Sequence, residues 1–336
     1  MDERVYKCPQ CRAPIAPPSR WARSAVCSFC GTSVQIDPTA VSAAHYRAAY
    51  QAWNEPSAHG FTQWWSHGET HWAPEGLIAR GELSDVYLAR RARWPTERVL
   101  LKVLRDSQNA ALLEHEWEVL EQLQDSSAQG AASFTLRLPQ PVARGQFTHG
   151  PHAGRHVLAL RWTSGFVHTF EAVRSAWPSG IPPGVSVWMW RRILESLSFI
   201  HRSGFVHGAV LPPHLLVQHH EHGVKLVGFA CAQRQGNALR ALPARFESFY
   251  PEHLLRSRLL TPEADLEMSA RCIAAVLGGD PSRGTVPATV PAALAALVRQ
   301  VATGGWRQEA WTLREHVGEV GRAAFGPPSF HPLEMP

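Results

Sequence analysis

His207-Gly208-Ala209-Val210-Leu211-Pro212-Pro213-His214-Leu215-Leu216-Val217 and, shortly after it, Lys225-Leu226-Val227-Gly228-Phe229-Ala230 are the stretches on which the reading of this chain turns. Ahead of them, the segment from Trp188 to Arg202 repeats apolar residues at helical spacing (Ile193, Leu194, Leu197, Ile200) and ends in Ser203-Gly204. Glycine takes the left-handed conformation that stops a helix, so a helix is expected to end there and lead into Phe205-Val206-His207. Between the two stretches, His219-His220-Glu221-His222-Gly223 reads as a hairpin tip joining two strands, and a metal role for its imidazoles is the lesser reading. Neither quoted stretch contains a carboxylate.

The chain has 336 residues, 45% hydrophobic and 18% charged, which is ordinary for a globular protein and excludes a disordered chain. No apolar region follows Met1-Asp2-Glu3-Arg4, and no run approaches the roughly eighteen apolar residues that cross a bilayer. A cytoplasmic protein with no membrane partner is expected. The net charge of +5 allows loose attraction to nucleic acid or acidic partners, but the basic residues are scattered rather than striped.

Cys8-x2-Cys11 and Cys27-x2-Cys30 carry four of the six cysteines, at a spacing that suits zinc. Each pair sets two thiolates on a tight turn, and two turns together make a tetrahedral sulfur cage with bonds of about 2.3 Å. Gly31 suits the turn after the second pair. One structural zinc ion is expected, with no open position for catalysis and with folding coupled to binding. Two disulfides are the rival reading, weighed down by a reducing compartment. Cys231 and Cys272 stand in apolar surroundings and read as plain buried residues.

The chain is read as a zinc ribbon (1–36), a helical and aromatic linker (37–71), a main domain (72–325), whose bounds rest on a resemblance given below, and a tail (326–336). Thr39 to Trp53 has no glycine or proline and reads as a connecting helix; Phe61, Trp64, Trp65 and Trp72 are expected to pack on the main domain. The proline and glycine clusters near Ile181 to Gly184 and after Gly326 read as loops and a frayed end.

From about Trp72 to Val320 the order of features resembles that of a protein kinase, and the resemblance implies an α+β fold: a bilobal kinase-like domain behind a small zinc ribbon. Leu77-Ile78-Ala79-Arg80-Gly81-Glu82-Leu83-Ser84 is similar to the glycine-rich loop, with only the middle glycine, Gly81, kept. Val99-Leu100-Leu101-Lys102 resembles the V-A-I-K strand, which places Lys102 against the phosphates and Glu116, or Glu114 in another helix register, against that lysine in a partly exposed pair. Leu100 replaces the alanine that faces adenine; overfilling such a pocket costs roughly 1–3 kcal/mol. With Leu216 on the floor of the pocket, ATP is expected to bind weakly or not at all.

The first quoted stretch resembles the catalytic loop H-R-D-L-x-x-x-N, and the second the strand ending in D-F-G. Ala209 stands where the base would be, and His214 and Gly228 where both magnesium ligands would be. Gly208 replaces the arginine that reads a phosphorylated activation segment. The resemblance therefore implies a pseudokinase with no catalytic residue. His207, Phe229 and Leu120 would form the packed stack linking the lobes, Asp265 would hold the catalytic-loop backbone, and Glu252 of Tyr250-Pro251-Glu252 would pair with Arg307.

The function expected from this is that of a scaffold or allosteric regulator, its partner another enzyme or a signalling component. An enzyme with altered nucleotide chemistry is the alternative, on the strength of Lys102 and Glu116. A nucleic-acid adaptor is a further one, using Arg4, Lys7, Arg12, Arg20 and Arg23 among Tyr6, Trp21 and Phe29 of the ribbon.

Overall fold

The computed structural model describes residues 6–8, 11, 13–15, 24–28, 30–35, 65–91, 94–218, 222–327 and 333–335. The chain divides into two compact units, 1–62 and 63–336. The expected helix from Thr39 to Trp53, and Phe61 and Trp64, lie outside the described residues, as do His219, His220 and Glu221.

The first unit contains two short hairpins. Strand β1 (Tyr6–Lys7) pairs with β2 (Pro14–Ile15), and β3 (Ser24–Val26) with β4 (Ser33–Gln35). Among the described residues of this unit, Ile15, Ala25 and Val34 are buried beside Cys8 and Cys27. A segment as short as 6–35 buries little apolar surface, so metal held by the cysteines would contribute to its folding.

The second unit is mixed, with helices and strands. Six antiparallel strands, β5 (Trp65–His67), β6 (Thr70–Arg80), β7 (Ser84–Arg91), β8 (Trp94–Leu104), β9 (Pro141–Gln146) and β10 (His156–Arg161), lie in the order β5-β6-β7-β8-β10-β9. The sheet thus begins at Trp65, inside the segment read as linker, and residue 72 falls within β6. Trp65 and Trp72 pair across β5 and β6 and are buried with Phe147 and Val157. The period of two explains β8: Val99, Leu101 and Val103 face that aromatic core, while Leu100, Lys102 and Leu104 point to the other face. Helix α1 (Ala110–Gln124) buries Leu113, Glu116, Val119, Leu120 and Leu123 along one stripe.

After the short helix α2 (Ala131–Phe134) and the sheet's last strand come β11 (His168–Thr169), α3 (Phe170–Ala176) and α4 (Pro183–Arg202). Helix α4 starts at Pro183, whose fixed φ suits a first turn, so the cluster read as loop near Ile181 is partly helix. It ends at Ser203, and Gly204 takes φ +82°. Strands β12 (Phe205–Val206) and β15 (Gln233–Arg234) pair with each other, and β13 (Leu215–Gln218) and β14 (Gly223–Leu226) form a three-stranded sheet with β11. Helices α5 (Glu252–Ser257), α6 (Pro262–Val276), α7 (Ala292–Ala302) and α8 (Ala310–Phe325) follow. Helix α6 is buried from Ala264 to Val276 and is the spine of this core.

The tail is not frayed at its far end. Leu333 is 1% exposed in the main core, Met335 packs against it, and Trp177 Nε1 donates to the Glu334 carbonyl at 3.1 Å. The apolar side chains that follow the proline cluster supply the burial. Among the described residues no helix is long and apolar enough to cross a membrane.

Candidate functional site

The four cysteines that spacing grouped lie together: the Sγ atoms of Cys8, Cys11, Cys27 and Cys30 are all within 4.8 Å of one another. Sulfurs at the corners of a tetrahedron with 2.3 Å arms stand about 3.8 Å apart, and Cys8 to Cys30 and Cys11 to Cys27 each measure 3.6 Å. A disulfide needs about 2.05 Å, so these are thiols. The two turns repeat one geometry: Cys8 N–H donates to the Ala13 carbonyl and Cys27 N–H to the Thr32 carbonyl, both at 2.9 Å. Gly31 takes φ +74°, which closes the second turn. Hydrogen bonding by the Thr32 side chain, its oxygen 3.3 Å from the sulfur, pulls the Cys30 thiol down to about 6. The donor set is all-sulfur and closed, which fits zinc in a structural role. Cys231 and Cys272 are buried elsewhere, and burial raises both thiols, Cys231 to about 11.

In the second unit, Lys102 on β8 forms an ion pair with Glu116 on α1. Glu116 is 1% exposed and Lys102 17%, so the pair is mostly buried, with its lysine end partly exposed. Its other oxygen accepts from Phe229 N–H at 3.2 Å, so one carboxylate joins the sheet, the helix and the second diagnostic stretch. Glu114 instead meets Arg144 near the surface. One residue before Glu116, His115 bonds through Nε2 to the Ala232 carbonyl at 2.6 Å, a second tie between α1 and that stretch.

Asp265, fully buried on α6, accepts from the backbone N–H of His207 at 2.8 Å and of Gly208 at 2.9 Å, and from His201 Nε2 at 2.9 Å. His207 Nδ1 accepts from Ala209 N–H at 3.3 Å, which leaves Nε2–H to donate to the Val227 carbonyl at 3.2 Å. Its ring meets Phe229 edge-on at 4.6 Å, and Leu120 lies in the same core cluster. Burial pushes His207 down to about 3, so it is neutral.

His214 bonds through Nδ1 to the Ala209 carbonyl at 2.8 Å, which turns its Nε2 edge toward Gly228. A Cβ on Gly228 would lie 2.7 Å from Cδ2 and Nε2 of that ring, and Gly228 has φ +82°. The imidazole therefore fills the space into which a side chain at 228 would project. Burial, then the nearby Lys102 charge, lowers the His214 pKa. Gly208 is equally committed: its φ is +69°, and a Cβ there would meet Leu260 at 3.0 Å.

Gly81 closes a short turn, its N–H donating to the Ser84 carbonyl at 2.9 Å. The Arg105 guanidinium holds that turn through the Gly81 and Glu82 carbonyls and the Asp85 carboxylate. Leu100 and Leu216 are half-buried. Lys225, 7% exposed, donates to Thr163 Oγ1 at 2.7 Å, and burial brings it down to about 8.

The expected Glu252 to Arg307 pair is not formed. Glu252 is 77% exposed at the start of α5 and pairs with Arg256 one turn on. The buried cation is Arg271, whose guanidinium donates to the carbonyls of Ser248, Tyr250 and Ala302. Carbonyls of the Tyr250 segment thus take the place of a carboxylate, and Arg307 stays at the surface.

Sequence reading missed Arg105, Arg271, His201 and His115, since each acts on a backbone carbonyl or on a residue far away in the chain. Arg4, Arg12, Arg20, Arg23, Trp21 and Phe29 lie outside the described residues. Compared with known proteins, the chain matches no family model, and no curated protein is significantly similar to it.

Proposed function

We propose that this protein is a pseudokinase, a kinase-like scaffold with a zinc-bound ribbon that works by binding a protein partner, an enzyme or a signalling component, rather than by transferring phosphate. One observation carries the reading: the His214 ring fills the space of a side chain at Gly228. Under the resemblance, both positions would hold magnesium, and phosphoryl transfer depends chiefly on such electrostatic stabilisation. A neutral imidazole and a hydrogen atom do not fit a hard divalent cation, which prefers oxygen ligands. Ala209 removes the base as well, a loss of roughly 10²–10⁴ in rate.

The parts that organise such a scaffold are present. Asp265 holds the loop backbone, and Glu116 holds Lys102 and Phe229 together. Cys8, Cys11, Cys27 and Cys30 would bind one zinc ion and hold the ribbon as a docking module.

The buried Lys102 to Glu116 pair favours a second reading, a nucleotide-binding enzyme with altered chemistry. Thermal shift with ATP, with and without magnesium or manganese, and phosphate incorporation separate the two. The pseudokinase reading expects no metal-dependent shift and no incorporation. Metal-dependent incorporation lost in Lys102→Ala would overturn it.

A further inference from the structure

Glu195 on α4 is 4% exposed, and three arginines from three elements converge on it. Arg314 of α8 donates to Oε1 through Nε and Nη2 at 3.1 and 2.9 Å; Arg137 and Arg192 donate to Oε2 at 3.0 and 2.7 Å. A carboxylate offers about four lone-pair sites, and these four bonds use them. A fourth arginine is left over. Arg191, beside Arg192 on α4, lies with its guanidinium about over Gly318 of α8, where a Cβ would come within 3.3 Å of Nε. That Nε is buried without a hydrogen-bond partner. Burial, then Arg314, with Arg192 and Arg322 also contributing, lowers the Arg191 pKa.

Arg137, Arg192 and Arg314 therefore share one carboxylate, with Arg191 packed beside them at Gly318 and Arg322 within electrostatic reach of Arg191, so positive charge exceeds negative around Glu195. Like charges gathered in this way repel, and an anion from outside would relieve the repulsion. Arginine forks match phosphate oxygens in pairs, and a phosphorylated side chain brings about two negative charges with three acceptor oxygens. Arg137 and Arg192 are 47% and 42% exposed and can reach it. Two aromatic rings here already carry arginines: Arg314 and Arg202 lie over Trp311, and Arg137 over Phe134. A ring engaged by a cation is a poorer platform for a nucleobase. Leu136, 67% exposed next to Arg137, offers an apolar contact to a peptide side chain.

We infer that the arginine face of α4 and α8 is a docking site for a phosphorylated segment of a protein partner. The site goes beyond the proposed pseudokinase reading and stands whether or not the chain transfers phosphate, since it shares no residue with Lys102, His214 or Gly228.

Fluorescence anisotropy of the full chain with a labelled peptide carrying two phosphoserines and a leucine tests this, against the unphosphorylated peptide and an RNA oligonucleotide of matched charge. The phosphopeptide is expected to bind at least about tenfold more tightly than either control, since charged hydrogen bonds are the strong ones. Arg322→Gln, at an exposed position, and Arg191→Gln should each weaken it about tenfold. Arg191→Gln should leave the melting temperature level or raise it by relieving repulsion. Equal binding of the two peptides, tighter binding of the RNA, or unchanged phosphopeptide binding by Arg322→Gln would overturn the inference. So would an Arg191→Gln protein that melts early and binds normally, because Arg191 would then act only in helix packing.

Discussion

His214 and Gly228 are complementary: the imidazole of the first lies where the side chain of the second would be, 2.7 Å from the Cβ that glycine lacks. Neither residue can change alone without cost. A side chain at 228 meets both the ring and a positive φ, and a different residue at 214 leaves a space beside a glycine.

Gly228→Asp alone should cost about 1–3 kcal/mol, from a clash and a backbone region that side chains disfavour. Combined with His214→Asn, it should cost less than the sum of the two single changes by about 1 kcal/mol or more, because contacting residues couple. Urea melts of the three variants measure this double-mutant cycle, and additive costs would show that the ring does not occupy the site.

Two histidines, His207 buried and His214 half-buried, set a pH dependence. The pKa values of both His207 and His214 are lowered in the fold, the first to about 3, against about 6.5 unfolded. Between those values the unfolded chain binds more protons, so stability is full above about pH 6.5 and falls as pH drops toward 3. Each fully mismatched histidine contributes a slope near 1.4 kcal/mol per pH unit. His214 faces Lys102, Glu116 and His207, so His214→Asn should flatten the slope below about pH 6.5. An unchanged slope in urea melts would refute the assignment.

Asp265→Ala leaves two buried backbone N–H groups and His201 without their acceptor, and should cost about 3–5 kcal/mol. Lys102→Ala should cost about 2–3 kcal/mol, because it leaves the buried Glu116 carboxylate without its cation. Glu252→Ala breaks an exposed pair within one helical turn and should cost under about 0.5 kcal/mol. Denaturant melts give the order, and a Glu252 variant as damaged as the Asp265 variant would contradict it.

Metal analysis of the protein should give one zinc per chain, lost in Cys8→Ser and in Cys27→Ser. Chelation should make 6–35 exchange amide hydrogens freely while helix α6 stays protected, because so short a segment can hardly fold without its metal. Protection of 6–35 after complete zinc removal would count against a metal-dependent fold.

Several of these relationships were readable in the chain and others were not. The four cysteines could be grouped because close spacing leaves thiols few ways to be apart. The roles of His207, Phe229 and Asp265 were legible only through the resemblance that their motifs carry, while helix periodicity and Gly204 marked the helix that leads to His207. Glu252 and Arg307 were misjudged, since an ion pair depends on where long side chains swing, and Arg271 satisfies the same loop through carbonyls. The fit of His214 to Gly228 is a matter of space filled, which no spacing records. The arginine face escaped because Arg137, Arg191 and Arg314 come from distant parts of the chain and meet only around Glu195.

The docking of Leu333 and Glu334 at Trp177 gives the molecule an optical gauge of its own. An indole whose N–H is engaged by a carbonyl emits differently from one facing water, so release of the last residues would register as a red shift that Trp177→Phe abolishes. Fluorescence followed during mild proteolysis would then time the loss of residues 333–335 against melting of the core.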